Sequence, residues 1–389
     1  MPNMFTFVTE LAHDKPALVT QCRETLRQMG RDDDGIRLLL PSDENNGDEL
    51  KRSIDAFGLE NLTKVAVIEI HNPSARNALS GKMMAELADV ITHLEDPQVH
   101  SKLNTVILKG TGGWFCAGAD LRVAQKQLTS NEAGTAMGVL MVDTLTRFRR
   151  LPLVSFAIVE GGAYGGGAEL TTSCDYRLIE GNAIVQFVQA RMGVSPGWGG
   201  GARLYKLVGR QHALRLLCTA SKTLPEEALR IGLADLVFYA NTEAKDKLIH
   251  AFVAPFDAVA SEVLHGQKKV ITSADDVSLD QLLEYEHSCR CKRRLSFAHL
   301  RRLKPNVKDT VGQELFDDVV MAFHAVGDAS MMVLHGQKKV ITSADDVNLD
   351  ELVDYEHSVF RSLWGGPANL QALDSFKKKS PSSETKASP

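Results

Sequence analysis

Two glycine-rich turns in the sequence have the composition of a site for a negatively charged oxygen. They are GTGGWFCAGADL (110–121) and EGGAYGGGAEL (160–170), and each follows an apolar run that predicts a buried strand. Each turn passes directly into a predicted helix, where unpaired backbone N–H groups and the helix dipole attract an anion. Two such junctions that face each other would form an oxyanion hole. Close backbone packing, which also needs glycine, is the alternative for either turn alone.

Neither turn fits a nucleotide-binding motif. A dinucleotide fingerprint needs G-x-G-x-x-G at the start of a helix and an acidic residue about 20 positions later. Here the acidic residue comes only one or two positions after the glycines, and no G-x-x-x-x-G-K-[ST] occurs. The turns therefore do not predict a dinucleotide site or a P-loop.

Alternating strands and helices must position these turns. Apolar residues at helical spacing predict a helix over 80–95, with Ser80 as its N-cap. Short apolar runs predict five strands, at 65–70, 104–110, 153–161, 175–180 and 183–188. This order favours an α/β fold in which both faces of the sheet are covered.

Composition excludes several classes of protein. The 389 residues are 44% hydrophobic and 24% charged, which excludes disorder throughout, a collagen-like chain and a small disulfide scaffold. The net charge of −5 provides no overall attraction to nucleic acid or anionic lipid, so we expect neither a nucleic-acid partner nor a membrane. Scattered cysteines and a start without a secretory apolar region predict a soluble protein of the cytosol.

A segment near the C-terminus occurs twice, at 263–288 and at 333–358, and the copies are identical at 22 of 26 positions. Solenoid repeats need about three copies to stabilise one another. Two near-identical copies with unlike flanks instead indicate a recent segmental duplication. The offset is 70 residues, and 389 − 70 leaves 319, so we predict one domain with a 70-residue insertion.

The segment between the copies is strongly basic where it begins. Residues 289–308 contain eight Lys or Arg and no acidic residue. A solvated or weakly ordered insertion is the simpler interpretation, and a nucleic-acid or targeting patch is the alternative. Cys289 and Cys291 lack the spacing and the second ligand pair of a zinc site, so we predict no metal.

Four motifs in one order resemble the crotonase, or enoyl-CoA hydratase/isomerase, superfamily. They are NPSARNALS (72–80), WFCAGADL (114–121), GGAYGGGAELTTSCDYRL (161–178) and FVQARMGVSPGWGGGARL (187–204). The resemblance implies an α/β fold with a crotonase-like ββα spiral core and a C-terminal helical region. It implies an acyl-CoA substrate, no cofactor because CoA is part of the substrate, and a homotrimer or hexamer.

The predicted domain boundaries follow from that resemblance. Residues 1–60 form a mostly helical or loose N-terminal extension, and 61–250 form the crotonase-like core. The C-terminal helical region covers 251–375 and contains the duplication, and 376–389 form a disordered tail.

The resemblance also implies roles for single residues. Ala119 and Gly166 match the two residues whose N–H groups bind the thioester oxygen, and Glu169 matches the first of two acid/base glutamates. Trp198 is expected to line the acyl pocket, with a purely structural place in the core as the alternative. The full set of expected CoA- or substrate-binding residues is Arg76, Ala117, Gly118, Asp120, Gly165, Arg191 and Trp198.

The second acid/base glutamate of the hydratases is absent, because Arg191 stands at the last position of F-x-x-x-E. Hydration needs one group to activate water and another to protonate carbon, which a single carboxylate does poorly. Residues 145–178 and LWGGPANLQAL (363–373) resemble a subgroup that decarboxylates malonyl-type CoA thioesters in fatty acid metabolism. The implied lyase acts on ethylmalonyl-CoA and on methylmalonyl-CoA. The alternatives are an enoyl-CoA isomerase or hydratase, and a degenerate CoA- or RNA-binding protein.

Decarboxylation leaves an enolate, which the N–H groups of Ala119 and Gly166 would stabilise. We expect Glu169 either to orient the substrate carboxylate or to return a proton to the α-carbon. Its pKa should be raised, because two anions in one dry pocket repel each other. Arg191 would pair with the substrate carboxylate if it points inward, and is a surface residue if it points outward.

Overall fold

A six-stranded sheet forms the centre of the structure, a computed structural model that describes residues 8, 13–41, 47–127, 130–240, 244–273 and 349–377. The strands are β1 (Gly35–Leu39), β2 (Val65–His71), β3 (Thr105–Gly110), β4 (Val154–Val159), β5 (Gly162–Tyr164), β6 (Tyr176–Glu180), β7 (Ile184–Gln186) and β8 (Leu236–Phe238). The large sheet has the order β1-β2-β3-β4-β6-β8, and β5 and β7 form a separate pair. β1 is antiparallel to β2, and all other neighbours are parallel.

Helices cover both faces of this sheet. In chain order they are α1 (Lys15–Arg27), α2 (Gly47–Asp55), α3 (Gly81–Leu94), α4 (Pro97–His100), α5 (Leu121–Gln127), α6 (Asn131–Arg150), α7 (Gly166–Thr171), α8 (Gly200–Thr219), α9 (Pro225–Arg230), α10 (Ala244–Asp257), α11 (Ser261–Ser273), α12 (Leu349–Leu363) and α13 (Pro367–Lys377). Two 3₁₀ turns lie at Pro73–Ala75 and Gln189–Met192. The predicted α/β fold with covered faces is confirmed.

The sheet residues alternate between two hydrophobic cores. Ala66 and Ile68 of β2 pack with α1, α3 and α6, whereas Val65 and Val67 pack with α2, α10 and α11. Every residue of β3 is buried, as parallel strands covered on both faces require. The five predicted strands and the helix after Ser80 are confirmed, and the Ser80 side chain accepts a hydrogen bond from the Met83 amide at 3.2 Å.

The N-terminal residues contribute more to this fold than their sequence indicated. Interpretation of 1–60 as helical or loose missed β1, whose five residues pair with β2 from Gly35 opposite His71 to Leu39 opposite Val67. α1 packs against α3 and α6 and buries Cys22 and Leu26. The boundary at residue 61 stays a prediction.

The two described C-terminal segments come from different copies of the duplicated sequence. α11 contains 263–273 of the first copy, and α12 begins with 349–358 of the second. Lys268 on α11 forms an ion pair with Asp175, and α12 packs against α6 and α8. Because position 349 corresponds to 279, the two segments together match one copy except for the five positions that correspond to 274–278. The basic stretch with Cys289 and Cys291, and most of the predicted tail, lie outside the described residues.

Within the described residues, no single helix is both long and apolar enough to cross a membrane. α10 and α11 satisfy that criterion only as a pair, by length and composition, with a bend of 97° between them. Ile249, Val253 and Leu264 of this pair are buried in the core below the sheet.

Candidate active site

The two glycine-rich turns lie backbone against backbone where β3 and β4 end. Cys116 pairs with Ala163 in an isolated parallel bridge, and the Tyr164 amide donates to the Cys116 carbonyl at 3.0 Å. Gly118 has a φ of +90°, and a Cβ placed there would lie 2.7 Å from the Tyr164 carbonyl oxygen and 3.1 Å from the Gly166 nitrogen. Only glycine therefore permits this approach, and it brings the two predicted anion-binding turns together.

Two backbone amides at this junction have no acceptor in the part of the chain that the structure describes. The Leu79 amide donates to the Gly118 carbonyl at 2.7 Å and the Asp120 amide donates to the Leu79 carbonyl at 2.8 Å, so this bridge does not use the Ala119 N–H. Gly166 is the first residue of α7, where helical N–H groups lack an acceptor within the helix. Among the described residues, neither amide donates to another group. This geometry fits an oxyanion hole.

Glu169 lies one turn into α7 and is enclosed by hydrogen-bond donors. Its side chain is buried, with 2% of its surface exposed. Oε1 accepts from Gln189 Nε2 at 2.7 Å, while Oε2 accepts from the amides of Trp198 at 2.8 Å and Gly200 at 3.1 Å. Both oxygens therefore act as acceptors, which matches an ionised carboxylate.

Opposing influences act on the pKa of Glu169. Burial raises it, while the hydrogen bonds from Trp198, Gln189 and Gly200 and the charge of Arg203 lower it, and the net direction is upward. The direction expected from the sequence is confirmed. A buried carboxyl with a raised pKa beside an oxyanion hole has the properties of a proton-transfer group.

Residues 60–274 match the family model described as Enoyl-CoA hydratase/isomerase. The chain belongs to this family, the crotonase superfamily. Two similar relatives are the ethylmalonyl-CoA decarboxylases of Danio rerio and Rattus norvegicus. The first is 43% identical and covers 58% of this chain and 74% of the relative. The second is 36% identical, and the match covers 65% of this chain and 85% of the relative.

Solved structures show the same crotonase fold. The enoyl-CoA hydratase of Bacillus anthracis superimposes with a TM-score of 0.53 at 26% identity, covering 58% of this chain and 85% of that one. A Thermobifida fusca protein, solved in complex with acetoacetyl-CoA, has a TM-score of 0.52 at 27% identity, and the match covers 62% of this chain and 96% of that one. The predicted superfamily and its fold class are thus confirmed.

Trp198 packs against the backbone of the second glycine-rich turn. The indole is buried, and a Cβ placed on Gly166 would be 2.3 Å from its Cζ3 atom. The ring therefore covers the backbone of the oxyanion hole directly. Trp198 also belongs to the hydrophobic core, as the structural alternative expects, and its role in an acyl pocket stays a prediction.

The structure places Arg191 outside the site. It lies in the 3₁₀ turn Gln189–Met192 with its side chain exposed, so the inward alternative is wrong in this structure. The tight turn directs Gln189 inward instead, where it donates to Glu169. Sequence reasoning missed Gln189, although the turn-prone RMG that follows it was a signal for a change of side-chain direction.

Among the expected CoA-binding residues, Arg76 and Gly165 lie beside the two turns. The Arg76 guanidinium lies 4.7 Å from the centre of the Trp114 ring, and the Arg76 carbonyl accepts from the Ala117 amide at 3.0 Å. Gly165, with a φ of +54°, caps α7 directly before the oxyanion amide of Gly166. The roles of these residues in CoA binding stay predictions.

Asp120 is buried and has a structural contact that the sequence did not predict. It accepts from the Arg122 amide at 2.9 Å and lies 3.8 Å from an Arg31 nitrogen. Arg31 belongs to the N-terminal extension and also donates to Ser74 at 3.3 Å. The sequence predicted only a mostly helical or loose extension over 1–60, so it did not indicate the place of Arg31 beside the motif at 72–80.

A second buried carboxylate, Glu356 on α12, lies at the same helix terminus as Glu169. It accepts from the Ala202 amide at 2.6 Å. Arg203 is buried between these elements, where it donates to Thr172 at 3.0 Å and to the Trp198 carbonyl at 2.8 Å. Sequence reasoning missed Glu356, because in the chain it lies 356 − 204, or 152, residues after the last crotonase motif. It also missed Arg203, although this residue lies within the motif at 187–204.

Proposed function

We propose that this protein decarboxylates a malonyl-type CoA thioester, with ethylmalonyl-CoA as its main substrate and methylmalonyl-CoA as a second one. The observation that supports it is the pair of amides, Ala119 and Gly166, that have no acceptor among the described residues and lie close to the buried carboxyl group of Glu169. Arg191, at the place of the hydratases' second glutamate, is exposed. The similarity to ethylmalonyl-CoA decarboxylases from two vertebrates supports the same chemistry.

The chemistry requires stabilisation of one developing charge. The bond between the α-carbon and the carboxylate breaks, its electron pair forms the thioester enolate, and CO₂ departs. The Ala119 and Gly166 N–H groups would hydrogen-bond the enolate oxygen, and loss of one such donor raises a barrier by roughly 3 to 4 kcal/mol in comparable sites. Glu169 then returns a proton to the α-carbon.

Two other reactions on CoA thioesters compete with this proposal. Syn hydration needs two acid/base groups near the double bond, and the position of the hydratases' second glutamate holds Arg191, whose side chain is exposed. Isomerisation needs only one group that moves a proton along the acyl chain, so Glu169 alone could perform it. The substrate distinguishes these reactions more sharply than the site does.

A substrate panel with the purified full-length protein tests the proposal. Ethylmalonyl-CoA, methylmalonyl-CoA, crotonyl-CoA and a 3-enoyl-CoA are incubated separately, and the CoA esters are followed by mass spectrometry. We expect butyryl-CoA from the first, propionyl-CoA from the second, and no turnover of the others. Isomerised or hydrated enoyl-CoA without any loss of CO₂ would replace decarboxylation by one of the alternatives.

Assembly and location are further parts of the proposal. A homotrimer or hexamer is supported only by resemblance, and light scattering on the full chain tests it. Composition supports a cytosolic location, which imaging of the tagged protein tests, and only the resemblance supports a role in fatty acid metabolism. An RNA-binding role would require residues 290–308, and salt-sensitive RNA binding that disappears on their deletion would favour it.

A further inference from the structure

Glu356 is a buried carboxyl group that the proposed mechanism does not yet use. Its surface is 0% exposed. Oε2 accepts from the Ala202 amide at 2.6 Å, while Oε1 has no hydrogen-bond partner among the described residues. An ionised carboxylate with a bare buried oxygen is strongly disfavoured, whereas a protonated one leaves only a neutral hydroxyl. The environment of Glu356 therefore favours the acid form.

Glu356 and Glu169 both accept hydrogen bonds from the first turn of backbone in α8. Glu169 binds the Gly200 amide, and Glu356 binds the Ala202 amide two residues further on. A Cβ on Gly200 would lie 2.3 Å from Glu169 Cγ, and a Cβ on Gly201 would lie 3.0 Å from Glu356 Oε2. The glycines thus allow both carboxyl groups to approach the same turn, where they interact as a coupled pair.

The charges in this cluster balance when it holds one proton. Two carboxylates and the guanidinium of Arg203, which is 3% exposed, sum to −1, and one added proton makes the sum zero. Net charge in a buried site is costly. Glu169 has donors on both oxygens and Glu356 has a bare oxygen, so the proton belongs on Glu356 in the resting site.

The electrostatic surroundings agree with that placement. Burial, and then the charge of Glu169, raise the pKa of Glu356 to about 8, although the Ala202 and Gly201 amides and Arg203 act to lower it. Burial likewise lowers the pKa of Arg203 to about 10, which leaves it charged at neutral pH.

Other titratable groups lie farther from this pair. Arg149 on α6 acts on Arg203, and burial lowers the pKa of His357 to about 4, so that this neighbour on α12 is neutral. The ion pairs Arg150–Asp350 and Lys15–Asp354 lie at the surface.

We propose that Glu356 is a positioning residue that keeps one proton in the pair it forms with Glu169, and that this proton is returned to the substrate. The inference rests on the proposed decarboxylation. When CO₂ leaves, the enolate α-carbon takes the proton through Glu169 and forms a C–H bond. The pair then regains one proton from solvent, so each turnover consumes one proton and releases one CO₂.

The duplicated segment provides a matched control for the test. Glu286 holds the same place in the first copy that Glu356 holds in the second. Glu356→Gln and Glu286→Gln are prepared in the full chain, and kcat and KM for ethylmalonyl-CoA are measured from pH 5 to pH 10. A glutamine at 356 resembles the protonated acid in shape, so the melting temperature near pH 6 should match that of the wild type.

The expected result is a displaced pH profile. In the wild type, kcat falls as the last proton leaves the pair near the pKa of about 8. Glu356→Gln removes the second negative charge, so the pKa of Glu169 falls and the alkaline limb of kcat moves down by at least about one pH unit. KM should change less than about twofold. Glu286→Gln should reproduce the wild-type profile.

Several outcomes would overturn the inference. An unchanged profile in folded Glu356→Gln, or an equal shift in Glu286→Gln, removes the role of Glu356. If Glu356→Gln does not fold, infrared titration of the wild type decides instead, because a buried protonated carboxyl band must disappear between pH 6 and pH 10. Absence of CO₂ release from wild type refutes the proposed function and delivery to the α-carbon, while the infrared band still decides whether the pair shares a proton.

Discussion

Replacement of Gly118 by alanine should separate the two halves of the oxyanion hole. Gly118 has a φ of +90°, and the added Cβ would lie 2.7 Å from the Tyr164 carbonyl oxygen. Gly113, in the same turn, provides a matched control because it has a φ of +74° with nothing within 4 Å of the added Cβ. Both changes impose backbone strain, but only Gly118→Ala pushes on the neighbouring turn.

The size of each effect follows from these contacts. An alanine in this left-handed region costs about 1 to 2 kcal/mol, so both variants should lose that much free energy of unfolding. Ordinary contact begins at 3.4 Å, so the Gly118 variant must displace the Tyr164 backbone by 3.4 − 2.7, or 0.7 Å. A hydrogen bond stretched by that amount is effectively lost, and loss of one oxyanion donor lowers kcat about 10²- to 10³-fold.

The assay is decarboxylation of ethylmalonyl-CoA, with unfolding followed in parallel by denaturant titration. We expect Gly113→Ala to retain kcat within about threefold, and Gly118→Ala to lose it by the factor above at a similar or somewhat larger loss of stability. Equal kcat in the two folded variants would refute the assignment of the oxyanion hole to these turns.

Three further predictions concern acid/base chemistry and the duplication. Glu169→Gln puts an amide NH₂ group among hydrogen-bond donors and removes the group that carries the proton, so kcat should fall about 10²- to 10⁴-fold. Normal CO₂ release by this variant would contradict proton delivery by Glu169. Lys268→Ala breaks a largely buried ion pair and should lower the free energy of unfolding by about 3 kcal/mol. Lys338→Ala, the corresponding change in the second copy, should leave the free energy of unfolding unchanged. Equal losses of this free energy in denaturant titrations of the two variants would contradict the packing of α11. Deletion of 274–343 rebuilds one uninterrupted copy, so thermal melting should stay cooperative and activity should persist; an insoluble product would argue against this.

Local patterns predicted much of the fold and the oxyanion turns. Strand β3 is one apolar run, and the helix after Ser80 begins with a capping residue, so both were evident within a window of a few residues. β1 was not, because its five residues lie between acidic stretches and are stabilised chiefly by pairing with β2. The missed strand depends on partner residues that are 67 − 39, or 28, to 71 − 35, or 36, positions away in the sequence.

The acid/base surroundings of the site were predicted less well for the same reason. Position 191 was identified by its spacing from Phe187, but the direction of its side chain depends on a 3₁₀ turn. Glu356 reaches the start of α8 only because α12 packs across α6 and α8. No window of sequence that contains Glu169 also contains that contact.

Strand β1 also determines how the molecule can be divided. It covers the edge of β2, whose first six residues are all buried. A fragment that starts at residue 61 would expose that edge as a row of free N–H and C=O groups flanked by valine and isoleucine, a template on which other chains can add strands. We expect such a fragment to aggregate. The N-terminal segment therefore prevents self-association through the edge of β2, in addition to forming part of the sheet.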